Sequence, residues 1–308
     1  MSHEHDHHHH SINVTSLNKA FIIGIVLNLA FVVTEFGAGL WFNSLALLSD
    51  AGHNLSDVVS LVLAMLAFKL AKIKANDKYT YGYKKSTILV SLLNAVILLV
   101  AVGAILVESI EKLQHPAEVP GTAIAWVAGV GIIINGITAM LFMKDKEKDL
   151  NVKGAYLHMA ADALVSIGVL ISGLVMNWTG FYIIDPIIGI LVAIVILVST
   201  WRLLHDSIRL SLDGVPVGIH TEDILKLIDS TPGVKSVHHV HIWAISTTEV
   251  ALTAHIVTKK MGQMEDIKNE IRHRLADSGI SHATLEFETT AERCDDGSES
   301  LHPSSVMQ

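Results

Sequence analysis

The sequence predicts two folds in series: an all-α membrane domain of six transmembrane helices, followed by a small cytoplasmic α+β domain with the element order αββαβ. Three observations predict this. The chain of 308 residues is 51% hydrophobic and only 17% charged, with a mean hydropathy of +0.48, a balance far from that of an ordinary soluble domain. Six apolar runs reach the roughly 20 residues that a helix needs to cross the hydrocarbon core. After Asp213 the composition becomes that of a soluble domain, with amphipathic segments of both the helical and the strand period.

The six runs lie at 17–42, 45–70, 86–113, 121–143, 154–177 and 184–205. Basic loops mark the cytoplasmic side of a membrane protein. Lys69, Lys72, Lys74, Lys78, Lys84 and Lys85 cluster around the second connection, and Lys144, Lys146, Lys148 and Lys153 around the fourth, whereas the loops between carry almost none. With six helices, that bias places both termini in the cytoplasm. The opening "MSHEHDHHHH" is not a basic region leading into a short apolar core, so the first run is expected to stay in the membrane. The expected bounds are a flexible His-rich N-terminus at 1–16, the membrane domain at 17–208, a linker at 209–215, the soluble domain at 216–290 and a disordered polar tail at 291–308.

Within the soluble part, "TEDILKLIDS" reads as a helix opened by a Thr cap and stopped by "TPGVKS". "VHHVHIWAIS" and "EVALTAHIVT" read as two strands with a tight turn near Thr247 and Thr248. "MEDIKNEIRHRLADSG" is a second helix with Gly279 as its C-cap, and "HATLEFET" a last strand. This order suggests a ferredoxin-like domain.

Composition also excludes. A formal net charge of −8 and the lack of a basic stripe argue against nucleic acid as a partner. Cys294 is the single cysteine, so there is no disulfide framework and no CxxC pair. Metal chemistry must use His, Asp and Glu.

Asp and His in a bilayer helix are costly, about 2.5–3.5 kcal/mol for Asp at the helix centre, and mark function by default. "HNLSD" in the second run places His53 and Asp57 four residues apart, hence on one helix face roughly 6 Å from each other. "HMAAD" in the fifth run repeats the spacing as His158 and Asp162. One such pair alone is equally a buried polar pair satisfied by neighbouring helices. Two copies, if their helices touch, supply two imidazoles and two carboxylates to one tetrahedral site for Zn²⁺, with Cd²⁺ and Co²⁺ as competitors and no position left for a catalytic water.

Read together, "SLALLSDAGHNLSD", "YTYGYKKSTILVSLLNA", "GAYLHMAADALVSIGVLISG", "DPIIGILVAIVIL" and "VHHVHIW" resemble the cation diffusion facilitators, in particular the bacterial cobalt-zinc-cadmium resistance branch, from about Leu17 to Glu288. The resemblance implies a homodimeric antiporter, not an enzyme, in a bacterial inner (plasma) membrane, that exports Zn²⁺ from the cytoplasm in exchange for protons, with His53, Asp57, His158 and Asp162 as its transport site. The residues agree with this. Metal ligands must be deprotonated, so zinc and protons compete, and an unperturbed His titrates near about pH 6.5.

The resemblance also points to His238, His255 and Glu288 as a zinc site in the C-terminal metal-binding and dimerisation domain, with Glu286 and His282 as weaker candidates. Zinc bound there would be a regulatory ligand. Strand alternation alone puts His239 and His241 on one face and His238 on the other. Lys85 and Asp213 match positions that form a charge pair at the dimer of relatives. Some relatives bind metal between the second and third helices, but Asn76, Tyr79 and Tyr83 stand at what look like the matching places, and no metal is expected there.

Asp50, one turn before His53, is a candidate for the ion pathway or for accepting a hydrogen bond from a ligand, with a structural or helix-entry role as the alternative. Glu35, Asn28, Asn94 and Asn135 are candidates for lining a hydrated cavity, with interhelical hydrogen bonding as the alternative for the amides. The "HEHDHHHH" run is either a purification tag or a native segment that concentrates zinc. Two rival readings stand beside transport: a membrane zinc hydrolase, for which no H-E-x-x-H motif is present, and a metal sensor, which has no need of ligands at mid-membrane depth.

Overall fold

Long uninterrupted runs of Leu, Ile, Val and Ala, with few internal Pro, leave the first two-thirds of the chain no alternative to helix. The computed structural model describes residues 14–41, 45–114, 121–180, 183–259 and 261–289. Six helices come first: α1 (Val14–Trp41), α2 (Leu45–Ala71), α3 (Ser86–Gln114), α4 (Gly121–Met143), α5 (Leu150–Thr179) and α6 (Ile184–Ser211). Helix α5 begins at Leu150, earlier than the expected 154, because Asp149 caps it: Asn151 N and Val152 N donate to Asp149 Oδ1 at 2.7 and 3.2 Å. Helix α6 runs on to Ser211 rather than 205, with Arg209 in its last turn against the negative end of the helix dipole. The expected N-terminal His run and C-terminal tail lie outside the described residues.

Among the described residues, three stretches are long and apolar enough to cross a membrane: Lys19–Gly37, Ser86–Gln114 and Pro186–Ser211; Ala128–Met143 is a shorter apolar helix. Polarity in the helical part runs inside out. Val33, Val100, Met140, Leu191 and Val198 face outward, whereas Asn28, Glu35, Asn54, Asp57, Asn94, Asn135 and His158 are buried. A surface of that kind suits lipid as the solvent, with polar groups enclosed where other helices satisfy them.

The chain divides into two units, Met1–Lys69 with Val90–Leu204, and Leu70–Leu89 with His205–Gln308. In the first, Phe21 packs against Phe68 and Phe142 with ring centroids 5.7 and 4.8 Å apart. Small residues let backbones approach: a Cβ on Gly24 would stand only 2.9 Å from Thr138 Cγ2. That close approach lets Asn28 Nδ2, which donates to Gly24 O of its own helix at 2.9 Å, also reach Thr138 Oγ1 at 3.4 Å. Leu61 and Ala64 of α2 share one buried cluster with Val152, Ala155 and Met159 of α5. The alanines keep α2 and α5 close.

The second unit holds the C-terminal elements: α7 (Thr221–Asp229), β1 (Val234–Ala244), β2 (Val250–Thr258), α8 (Met264–Asp277) and β3 (His282–Glu288), with a single 3₁₀ turn, Met261–Gln263, before α8. The sheet order is β1-β2-β3, β1 antiparallel and β3 parallel to the central β2. Ile224, Leu225 and Ile228 of α7 and Ile267, Ile271 and Leu275 of α8 form one core with Val237, Ile242, Leu252 and Ile256 of the sheet. The loop from α2 to α3 belongs to this unit because it is tied to the β1–β2 turn. Lys84 Nζ donates to Glu249 Oε2 at 2.6 Å, and Thr247 N donates to Thr87 Oγ1 at 3.1 Å.

Two local expectations are corrected. Thr221 is already helical; the N-cap is His220, extended at φ −100 and ψ 114 and making no side-chain cap bond, while Glu222 and Asp223 supply the first turn's negative charge. Strand β1 does not alternate through its histidines. His238 pairs with His255 but His241 pairs with Thr253, so two residues of β1 oppose one of β2, a β-bulge, and His239 takes φ 51. Consequently Val237, His238, His239 and Val240 are all buried and His241 is exposed. Gly279, at φ 86, stands one residue past the C-cap Ser278 of α8 and takes the left-handed conformation there at no steric cost.

Candidate metal centres

Helices α2 and α5 bring together Asp57, His158 and Asp162. His158 Nε2 is hydrogen-bonded to Asp57 Oδ1, and lies 3.9 Å from Asp162 Oδ2, one helical turn further along α5. One ligand atom from each of the three falls within 4.8 Å of the other two. Asp57 is fully buried and His158 is 4% exposed. Asp57 Oδ2 is buried and makes no hydrogen bond among the described residues. A buried carboxylate oxygen of that kind requires a partner, and a cation supplies one. His53 lies on α2 one turn before Asp57; its side chain and that of Asp50 lie outside the described part of the structure.

A small cavity adjoins this cluster, lined by Asp57, Ser60, Asn94, Gly154 and His158 among others. Ser60 follows Asp57 toward the Lys69 end of α2, and Gly154 precedes His158 toward the Lys153 end of α5. The cavity is therefore on the lysine-bearing side of the cluster. Asn94 Nδ2 donates to Ser60 O at 3.5 Å, an interhelical bond along its wall. Glu35 is buried on α1, its Oε2 accepting a 2.7 Å hydrogen bond from Asn54 Nδ2, next in sequence to His53. Asn28 bonds across to α4, as above, and Asn135 is buried.

A second cluster forms on the sheet. His238 and His255 are direct cross-strand neighbours. Parallel register pairs His255 with Glu286, which puts Glu288, two residues on, on the same face. His255 Nδ1 and Glu288 Oε1 are 2.7 Å apart, and His238 Nε2 lies 3.5 Å from Glu288 Oε2. Here too the ligand atoms of three residues lie within 4.8 Å of one another. Glu288 Oε2 is buried without a hydrogen bond among the described residues. Two imidazoles and a carboxylate are a donor set that fits Zn²⁺. Glu286 Oε2 stands 3.5 Å from His255 Nε2 at the exposed edge. His282 is apart from the cluster and exposed, its ring edge-on to Tyr81 at 5.7 Å.

His239, which strand alternation sends to the opposite face, stands beside this cluster. Its ring centroid is 5.2 Å from that of His255 and 6.0 Å from that of His238. The only signal was three histidines within four residues, which strict alternation cannot place together.

Lys85 and Asp213 meet at 2.5 Å within one chain, their side chains about half exposed. In the loop before α3, Asn76 Oδ1 accepts from Lys78 N and Tyr79 N at 3.0 and 2.9 Å, a local turn, and the Tyr79 and Tyr83 rings pack with centroids 4.8 Å apart.

Helices sheathed in apolar side chains and enclosing acid and imidazole groups define a class: integral membrane proteins that handle cations. Comparison with known proteins narrows it. Residues 21–210 match the cation efflux transmembrane domain and residues 216–288 the cation efflux protein cytoplasmic domain. The chain is 36% identical over 300 residues to the cadmium, cobalt and zinc/H(+)-K(+) antiporter of Bacillus velezensis, covering 96% of this chain and 94% of that one. It is 36% identical to the metal cation efflux system protein CzcD of Cupriavidus metallidurans over 93% of this chain and 89% of that protein. The zinc transporter ZitB of Escherichia coli is 33% identical over 94% and 93% of the two chains. The protein belongs to the cation efflux family, whose members are transporters rather than enzymes.

Proposed function

We propose that this protein is a zinc(II)/proton antiporter that exports Zn²⁺, and also Cd²⁺ or Co²⁺, from the cytoplasm by alternating access. The observation that carries the reading is the convergence of Asp57, His158 and Asp162 in the buried interior of the helical domain. His53, one turn from Asp57 on the same helix, completes a tetrahedral His₂Asp₂ transport site. All six helices cross the bilayer, and the lysines of the second and fourth connections place both termini in the cytoplasm.

The coupling follows from ligand chemistry. The hydrogen bond between His158 and Asp57 needs a proton between two atoms that a cation would have to share. Zinc and proton are therefore alternative occupants of the same lone pairs. Zinc enters from the lysine-bearing side through the cavity at Ser60, Asn94 and Gly154. Reorientation exposes the site to the other side, where protons displace the ion and return the carrier. The names of the relatives, antiporter and zinc transporter for the cargo and efflux system protein for the direction, support this reading.

The C-terminal unit is a ferredoxin-like cytoplasmic domain that pairs with its copy in a homodimer. Zinc at His238, His255 and Glu288 acts there as a resident regulatory ligand that favours one state of the dimer. The Lys85–Asp213 pair braces the junction of loop and domain in each chain.

The test is zinc-dependent proton flux in sealed proteoliposomes. Wild-type protein should couple the two fluxes, and His158→Ala should abolish both while the dimer persists. Wild-type flux in that variant would remove the transport site from α5. Zinc binding without any flux in the unaltered protein would favour a sensor.

A further inference from the structure

We propose that His239 is a fourth protein ligand of the C-terminal zinc site, turning His238, His255 and Glu288 into a closed His₃Glu centre. This rests on the reading of that cluster as a zinc site. Three observations point to His239. The β-bulge between His238 and His241 breaks the alternation that would have sent the ring to the opposite face. Bulges re-aim side chains in this way. The backbone at His239 is left-handed, φ 51, a conformation that is strained for a non-glycine residue and persists where the surroundings impose it. The residue is only 7% exposed, so an imidazole has been enclosed next to two others rather than left in solvent.

Two of the three ring spacings match coordination. A Zn–N bond of about 2.0–2.1 Å puts an imidazole centroid about 3.2 Å from the metal, so two imidazoles at the tetrahedral angle have centroids about 5.2 Å apart. The observed separations are 5.3 Å for His238 and His255, 5.2 Å for His239 and His255, and 6.0 Å for His238 and His239. The tight group of ligand atoms contains His238, His255 and Glu288; His239 joins it by turning its ring about the side-chain torsions, with little movement of the centroid. Three protein ligands leave a fourth position open to water or exchange, whereas four close the site. A closed centre retains its ion while zinc passes through the membrane domain, which separates a resident ion from cargo.

The experiment uses the full chain with residues 2–10 deleted and with Asp57→Asn and Asp162→Asn, so that zinc binding reports on the C-terminal domain. Asn accepts a left-handed backbone, and Gly relaxes it. His239→Asn and His239→Gly should each weaken zinc binding, measured by chelator competition, by at least about 10- to 100-fold, the range lost even when only residues supporting a ligand are removed. X-ray absorption should count three imidazoles in the parent and two in either variant, and the metal-free Gly variant should melt no lower than the parent. Parent-like binding in both variants with two imidazoles throughout, while His238→Asn releases the ion, would overturn the role of His239 and leave the site standing. Parent-like binding in His238→Asn as well would overturn the site itself.

Discussion

Replacing Asp57 by Asn separates a ligand from a scaffold residue, because it removes charge and leaves shape. Asp57 is fully buried, its Oδ1 engaged by His158 Nε2 and its Oδ2 left without a hydrogen bond among the described residues. Asn keeps the volume and one oxygen but cannot offer an anionic ligand. Loss of residues that merely orient a metal ligand costs about 10–100-fold in affinity. Loss of the ligand's charge should therefore exceed about 100-fold, or roughly 2.8 kcal/mol at 1.4 kcal/mol per decade. Stability should move the other way. A buried carboxylate is costly to desolvate, so its neutral isostere is expected to leave the metal-free protein as stable or more so. Zinc titration by chelator competition in nanodiscs, on a chain lacking residues 1–16 and carrying His238→Asn and His255→Asn to silence the C-terminal site, reads the first quantity, and thermal unfolding without metal reads the second. Affinity within threefold of wild type would refute the assignment. A fall in melting temperature of more than about 4 °C, above a kcal/mol for a chain of this size, would refute the separation of ligand from scaffold.

Other outcomes follow from the same structure. Zinc affinity should fall as pH drops, by up to tenfold per pH unit for each proton that must be displaced, because protonation removes the ligand lone pair; titrations at a series of pH values check the slope. Gly24→Leu should drive α1 from α4, since even a Cβ there would stand 2.9 Å from Thr138 Cγ2, and lowered melting of the detergent-solubilised protein would report it. Ile256→Ala, in the fully buried middle of β2, should cost about 2–5 kcal/mol, read as lost protection of the sheet amides in hydrogen exchange. Lys84→Met should cost under about 1 kcal/mol, because the Lys84 and Glu249 side chains are 33% and 39% exposed; equilibrium unfolding of the pair in a double-mutant cycle measures it.

Long-period features were legible in the sequence. The six apolar runs foretold helices within a few residues at most ends, because uninterrupted apolar composition and length decide them. The i, i+4 spacing of His158 and Asp162 put both on one face of α5, and a matching pair on another helix told which face of α2 to bring against it. What escaped depended on local backbone choices. The early start of α5 turned on Asp149 acting as a cap. The unused Thr cap turned on one residue of helical phase at Thr221. His239 was placed wrongly because alternation assumes a regular ladder, and a bulge adds one residue that no periodicity announces. The attachment of the α2–α3 loop to the C-terminal unit was hidden as well, since Lys84 with Glu249 and Thr87 with Thr247 are 160 or more residues apart in the chain. His282 failed as a ligand candidate for a simpler reason: its position at the start of β3 pairs it with Ala251, far along the strand from the register of His255.

The claim that proton and metal exchange at one buried His and Asp site is tested most directly by driving zinc with a proton gradient alone. Vesicles containing the purified protein, loaded to an acid interior and given equal zinc on both sides, should accumulate zinc against its own gradient as protons leave, and Asp57→Asn and His158→Ala should abolish the uptake. Zinc that merely equilibrates whatever the pH difference, or uptake that survives in those two variants, would contradict the account.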